Sequence, residues 1–296
     1  MDLVATVAHL PQPGETVLGR HLGTYPGGKG ANQAVAAARL GGQVALVGRV
    51  GNDNFGAALI ENLKANAVDS SGVERDPEAA TGAALIYVED GGQNMIAVAP
   101  GANATISGAD VQRAASRLTR GDVLTMQLEI PIPAIREAVT AAHQAGAFVL
   151  LNAAPAQRLD SGLLRHVDAL VVNEREAKTL VEQELSLDAA ASALHVYGPN
   201  IVIITLGAAG CVFCDDSGVH RVEPFPVKAK DTTGAGDAFM GALAIGIAHR
   251  LETRTAVRFA NAAGAAATSA LGAQAALPAL ADLRRLFGVH LPSLDA

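Results

Sequence analysis

Tryptophan is absent from this chain of 296 residues, which carries only three Tyr and seven Phe. Basic residues are outnumbered as well: 22 Lys and Arg stand against 29 Asp and Glu, for a net charge of −7. Few aromatics and a negative balance argue against a nucleic-acid surface, although local donors could still hold a small anion. Long apolar runs are also missing. No stretch approaches the ~20 residues that span a bilayer, so no membrane partner is expected. The opening residues show no charged region followed by an apolar core, and the expected compartment is the cytoplasm. Half of the residues are hydrophobic and 17% are charged, which suits a sizeable core in one large α/β domain or two small ones.

Cysteine is nearly absent too. The two present are Cys211 and Cys214, and only His220 lies close enough in sequence to join them at a zinc ion. The segment from Gly210 to Asp215 reads as a short strand after a glycine turn. Positions three apart on a strand point to opposite faces, so a structural role is expected rather than metal or redox chemistry.

What the chain does contain is an alternation of helical stretches and short continuous apolar runs. The runs are Ala45–Gly48, Ala147–Leu151, Ala169–Val172 and Ile201–Thr205; the helices are Phe55–Ala65, Pro133–Ala145, Asp160–Val167 and Leu187–Val196. Apolar runs between helices predict a parallel sheet covered on both faces, hence a doubly wound, mostly parallel α/β fold. Two segments depart from this pattern. Thr16–Tyr25 is strand-like but broken by glycines, and Gly82–Ala99 reads as a hairpin around Asp90-Gly-Gly92. They predict a small separate β-sheet, a lid over the core. The expected division is a core of residues 25–81 and 101–296 with a lid of 3–24 and 82–100. Residues 249–284 look helical, with a small-residue loop at Gly272-Ala-Gln-Ala275.

The most informative run is Asp231-Thr-Thr-Gly-Ala-Gly-Asp237, which opens directly into an apolar helix. Glycines let backbone N–H groups converge at a helix N-terminus, where the dipole favours negative charge. Such a nest suits a phosphate whose charge grows during transfer. Asp237 would repel that anion and so needs another task, such as accepting a proton from an attacking hydroxyl. An acid that merely complements the helix dipole is the competing reading, and the run alone leaves both open. A second glycine-rich segment, Pro26 to Gly41, leads into a helix with a small apolar face of Ala31, Ala34, Val35 and Ala38; Lys29 and Asn32 on its first turn are expected to be free to meet a ligand. Gly23-x-x-x-x-Gly28-Lys29 is a near miss to a Walker A loop, because Gly30 stands where Ser or Thr would hold Mg²⁺. Gln33 and Phe239 likewise replace the third glycine of a dinucleotide fingerprint, so both motifs are rejected. Met126-Gln-Leu-Glu129, Asn173 with Glu176, and Thr205-Leu-Gly207 place polar groups at the ends of apolar runs, where a crevice would gather them.

These motifs, together with Pro13-Gly-Glu-Thr-Val17, Asn152 and Ala154-Pro-Ala156, stand in the order found in the ribokinase family of carbohydrate kinases, which the chain resembles from about residue 2 to about residue 285. The resemblance implies ATP-dependent phosphorylation of a sugar, D-ribose at its 5-hydroxyl, with Asp237 as base and Gly234, Ala235 and Gly236 as the anion hole. It implies that Asp2, Gly27, Gly28, Lys29, Asn32 and Glu129 hold the sugar. Asn173, Thr205, Gly207, Gly236 and Asn261 would lie along the nucleotide, and Glu176 would organise Mg²⁺ indirectly. Asp231, Thr233, Ala267, Ala270 and Gly272 would surround an activating K⁺, and the lid strands would also form a homodimer contact. Two departures stand out. Family members open with a buried strand ending in Asn-x-Asp; Asp2 matches the acid, the strand has no counterpart here, and a further N-terminal piece of the native protein is the expectation, a damaged paralogue the alternative. Ala276 stands where a serine usually adds an oxygen to the monovalent site. A kinase of another acceptor (a ketose, deoxyribose or a nucleoside), a sugar or nucleotide sensor without activity, and a nicotinamide oxidoreductase are the competing readings, the last disfavoured by the absent third glycine.

Overall fold

The computed structural model describes residues 1–291. β1 (Asp2–Val7) and β2 (His21–Tyr25) come first, followed by α1 (Lys29–Arg39), β3 (Val44–Gly51), α2 (Asn54–Ala65) and β4 (Val68–Asp76). A second strand pair, β5 (Ala83–Glu89) and β6 (Asn94–Ala99), leads to α3 (Gly108–Ala115) and β7 (Val123–Met126). The alternation then continues through α4 (Ile132–Ala145), β8 (Phe148–Asn152), α5 (Ser161–Leu164), β9 (Ala169–Asn173), α6 (Glu174–Val181), α7 (Leu187–Val196) and β10 (Ile201–Thr205). The chain closes with β11 (Cys211–Asp215), β12 (Gly218–Val222), α8 (Ala235–Ala248), α9 (Thr253–Ala267) and α10 (Leu280–Phe287).

The apolar runs become the middle of a six-stranded sheet of order β12-β11-β10-β9-β8-β7. β7 to β10 are parallel, and β11 and β12 extend the edge antiparallel. Side chains alternate across this sheet, as the strand period of two requires. Leu150, Val171 and Ile203 point into a core made with α1, α8 and α9, whereas Val149, Leu151, Leu170 and Val172 point into a second core made with α4 to α7. That two-sided burial explains why these strands read as unbroken apolar runs, and the doubly wound α/β class follows. Cys211 belongs to the first core and Cys214 to the second, so the pair sits back to back on β11, as expected from its spacing. Burial pushes the Cys211 thiol up to about 12, far from any reactive range.

β3 and β4 form a parallel pair of their own, separate from the six-stranded sheet. The remaining strands make a separate four-stranded sheet of order β2-β1-β5-β6, with β1 and β5 parallel. The hairpin forms as expected, but the first strand-like segment shortens to His21–Tyr25, and β1 takes its place in the sheet. The predicted helix Asp160–Val167 shrinks to Ser161–Leu164, capped by the Asp160 side chain on the Leu163 N–H. Residues 292–296 of the predicted core lie outside the described residues. Among the described residues no helix is long and apolar enough to cross a membrane.

Candidate active site

α8 is buried along most of its length, from Asp237 to Gly246. No side chain caps its N-terminus. Ala235 N–H is satisfied by the Thr232 carbonyl and Ala238 N–H by that of Gly234. The N–H groups of Gly236 and Asp237, among the orphans of any first helical turn, stay directed out of the helix. Gly234 adopts φ 79°, a left-handed conformation, and a Cβ there would also press on Ala273 at 3.1 Å. At Gly236 a Cβ would find nothing within 4 Å beyond its chain neighbours and its own helix backbone, so the mouth of the nest is open there. This is the geometry of a backbone anion hole.

Asp237 is 7% exposed and does not cap its own helix. Its Oδ2 accepts from Asn32 Nδ2 at 2.9 Å and its Oδ1 from Gln33 Nε2 at 3.0 Å, both on the first turn of α1. The two helices meet closely because Gly241 has no side chain; a Cβ there would lie 2.6 Å from that of Ala36 and 2.9 Å from the Gln33 carbonyl. Each carboxylate oxygen therefore has one fixed donor. A dipole-complementing acid needs no such partners from another helix, so the geometry favours the functional reading of Asp237.

Asn32 is not free, contrary to expectation. It is 5% exposed, and its Oδ1 accepts from Gln274 Nε2 at 2.9 Å. The predicted apolar face of α1 is displaced as well: Asn32 to Ala37 are all buried, because α8 covers one side of the helix and the sheet the other, while Ala31 and Ala38 are only partly buried.

Around this pair the structure gathers two further acids. Glu129, beyond the end of β7, accepts from the Lys29 N–H at 3.1 Å through one carboxylate oxygen. Burial pushes its carboxyl up, Lys29 opposes this by charge and hydrogen bond, and Asp237 and Asp2 add to it. Asp2, on β1, is likewise raised by burial; the N-terminal amine opposes that shift and Asp237 adds to it. Asp2 packs on Gly27 so tightly that any Cβ there would collide with its carboxylate. Glu129, Asp2, Lys29 and Gly27 are thus brought to Asp237, and Gly28 to the uncapped start of α1.

Of the other predicted residues, Asn173, Thr205 and Gly207 lie at the carboxyl ends of β9 and β10, where doubly wound folds bind ligands. Asn173 and Glu176 form a capping box on α6, with Glu176 Oε2 accepting the Asn173 N–H at 2.8 Å. Burial raises the Glu176 carboxyl despite that bond. Thr205 ends β10 and donates to the Val172 carbonyl at 3.3 Å; Gly207 follows with φ 56°. Asn261, on α9, donates to the Glu223 carbonyl at 2.9 Å. Asp231 joins two loops: Oδ1 accepts from Thr233 N–H and Oγ1, and Oδ2 from Gly272 N–H at 2.8 Å. Burial raises its carboxyl, but these donors outweigh that and hold it below the usual range. Ala267 and Ala270 flank the same turn, and Ala276 is buried and has no side-chain oxygen to offer. Among the described residues no three His, Cys, Asp or Glu side chains cluster as a metal cage.

Sequence reasoning missed four carboxamides. Gln127 Nε2 donates to Gln33 Oε1 at 2.5 Å, Gln33 touches Asn152 Oδ1 at 3.3 Å, and Gln274 bridges Asn32 to Asn62. The available signal was local: Gln33, Gln127 and Asn152 lie inside motifs already singled out, and Gln274 is the one long polar side chain in its small-residue loop.

Comparison with known proteins agrees with this geometry. The model of the pfkB family carbohydrate kinases matches residues 1–280. Mouse ribokinase is 40% identical over 296 aligned residues, covering 95% of this chain and 90% of its own. The crystal structure of Thermotoga maritima ribokinase superposes with a TM-score of 0.88 at 33% identity, covering 97% of this chain and 96% of its own. Arabidopsis thaliana ribokinase, solved in complex with ribose and ATP, superposes with a TM-score of 0.87 at 28% identity over 96% of this chain and 95% of its own. With the family model matched from residue 1 to 280 and relatives of like length around it, the chain belongs to the pfkB family of carbohydrate kinases.

Proposed function

We propose that this chain transfers the γ-phosphoryl group of ATP to the 5-hydroxyl of D-ribose, giving ribose 5-phosphate and ADP. The observation that carries the reading is Asp237, buried at the mouth of the open nest with one amide donor on each oxygen. The ribokinase relatives supply the acceptor. The ribose hydroxyl oxygen attacks the γ-phosphorus, the bond from that phosphorus to the ADP oxygen breaks, and the hydroxyl proton passes to the Asp237 carboxylate. The N–H groups of Gly236 and Asp237, with the Gly234 and Ala235 backbone, stabilise the charge on the transferring group. Asp2, Glu129, Lys29 and Asn32, with Gly27 and Gly28, would orient the sugar. The desolvated acids Asp2 and Glu129 gain hydroxyl donors when it binds.

Along the strand ends, Asn173, Thr205, Gly207 and Asn261 would line the nucleotide. A divalent ion, Mg²⁺, accompanies ATP and neutralises its phosphates; Glu176, a partly buried carboxyl raised by desolvation, fits an indirect, water-bridged partner for it. For an activating K⁺, the loops joined by Asp231 fit in part. Asp231, Thr233, Ala267, Ala270 and Gly272 would offer mainly backbone oxygens, without the side-chain oxygen that Ala276 lacks. We place the reaction in the cytoplasm, where ATP is at hand. The four-stranded sheet would act as a lid that excludes water. Its exposed Leu22, Leu85, Tyr87 and Met95 form an apolar surface suited to a second copy of the chain.

The test is a panel of ribose, deoxyribose, ketoses and nucleosides, each with ATP and Mg²⁺, followed by phosphorus NMR of the product. Ribose is expected to give the highest kcat/KM with phosphate on the 5-oxygen. A better acceptor in the panel would overturn the choice of ribose.

A further inference from the structure

The hydrogen-bonded path into Asp237 extends beyond any group that could touch the sugar or ATP. Asn62 Nδ2, on α2, donates to Gln274 Oε1 at 2.6 Å; Gln274 Nε2 donates to Asn32 Oδ1 at 2.9 Å; Asn32 Nδ2 donates to Asp237 Oδ2 at 2.9 Å. Every amide in this path points its N–H toward the acid and its carbonyl away. An ionised carboxylate accepts only, so the path has one consistent direction. The backbone of Gln274 is pinned too, since Arg39 Nη1 donates to the carbonyls of Gln274 at 2.8 Å and Leu277 at 2.9 Å.

A carboxamide presents a donor at one end and an acceptor at the other, and a half-turn exchanges them. Were Asn32 reversed, its carbonyl would face the Asp237 carboxylate, and its N–H₂ would face that of Gln274. Both contacts would be repulsive. Gln274 and Asn32 are 6% and 5% exposed, so water is poorly placed to replace either partner. We infer that Gln274 is a positioning residue for phosphoryl transfer, acting through Asn32 to keep an N–H donor fixed on Asp237. The inference rests on the reading of Asp237 as the base. A second, separate path, Gln127 to Gln33 to Asp237 Oδ1, remains when the first is cut, which bounds the effect.

The test uses Gln274→Met, which keeps length and bulk but removes donor and acceptor. Ribose-dependent kcat is expected to fall roughly threefold to tenfold, the size of one lost net hydrogen bond, with KM for ATP unchanged. In an Asn32→Ala background, Gln274→Met is expected to change kcat no further, since its only route is gone. Thermal melting of each variant identifies any that fails to fold. Two-dimensional NMR of the side-chain amides, with labelled asparagine, requires no acceptor: the Asn32 Nδ2 resonances are expected to shift in Gln274→Met even if the wild-type chain ignores ribose. That last outcome would sink the acceptor reading alone. A folded Gln274→Met with wild-type kcat and unshifted Asn32 amide resonances would overturn the inference, as would an undiminished second loss in the Asn32→Ala background.

Discussion

Asp237 and Glu129 are both acids near the same opening, yet their surroundings suit them to different work. Asp237 has two amide donors and is the acceptor of the proton in the proposed reaction, whereas Glu129 is desolvated with one backbone donor and would gain most from a sugar hydroxyl. Glu129→Gln should therefore raise KM for ribose and at the same time stabilise the empty fold. The sign follows from linkage. A carboxyl raised in the folded state holds its proton more tightly there than in the unfolded chain, so stability is lost as pH rises through the window above the usual carboxylate range. The stability difference between Glu129→Gln and wild type should vanish in acid and open toward neutral pH; thermal melts across pH would check it, and a destabilised variant at pH 7 would contradict it. Gly236→Ala makes the opposite separation. Its methyl would meet nothing within 4 Å beyond its chain neighbours and its own helix backbone, so the melting temperature should hold while the group fills the anion space. Loss of turnover should be on the order of the 10²-fold seen when an oxyanion donor is removed.

At the scale of elements, the site depends on the crossing of α1 and α8 at Gly241. Gly241→Val would overpack this contact at a cost of about 1–3 kcal/mol and carry Asn32 and Gln33 away from Asp237; urea unfolding and kcat should fall together. Elements with a strong local signal were legible in the sequence. Ile201–Thr205 and Leu187–Val196 have the expected bounds, since an apolar run buried on both faces and a helix with its Ser186 cap are set locally. β4 and β12 were not foreseen. β4 reads Val-Asp-Ser-Ser-Gly-Val-Glu-Arg-Asp and owes its pairing to β3, and β12 is an edge strand held by β11. The nest and its acid were legible because glycine spacing and a helix start lie within seven residues of sequence. Gln274 was not, because its partner Asn32 lies 242 residues away and only the fold brings them together.

At the scale of the whole molecule, the four-stranded sheet carries an edge strand, β6, that is exposed along its whole length. Leu22 is 70% exposed and Met95 47%, on the face shared with Leu85 and Tyr87. Sedimentation should show a dimer, and the double variant Leu22→Asp with Met95→Asp should dissociate it; a monomeric wild type would contradict the proposed contact. In the proposed reaction Asp237 takes the proton of a ribose hydroxyl while the nest receives phosphate. The most direct measurement is ribose-dependent ADP formation from ATP and Mg²⁺ by the wild-type chain and by Asp237→Asn. Ribose-dependent turnover is expected, falling by roughly 10²–10⁴ in the folded variant, the range of a lost general base. Equal turnover by the two proteins would contradict it.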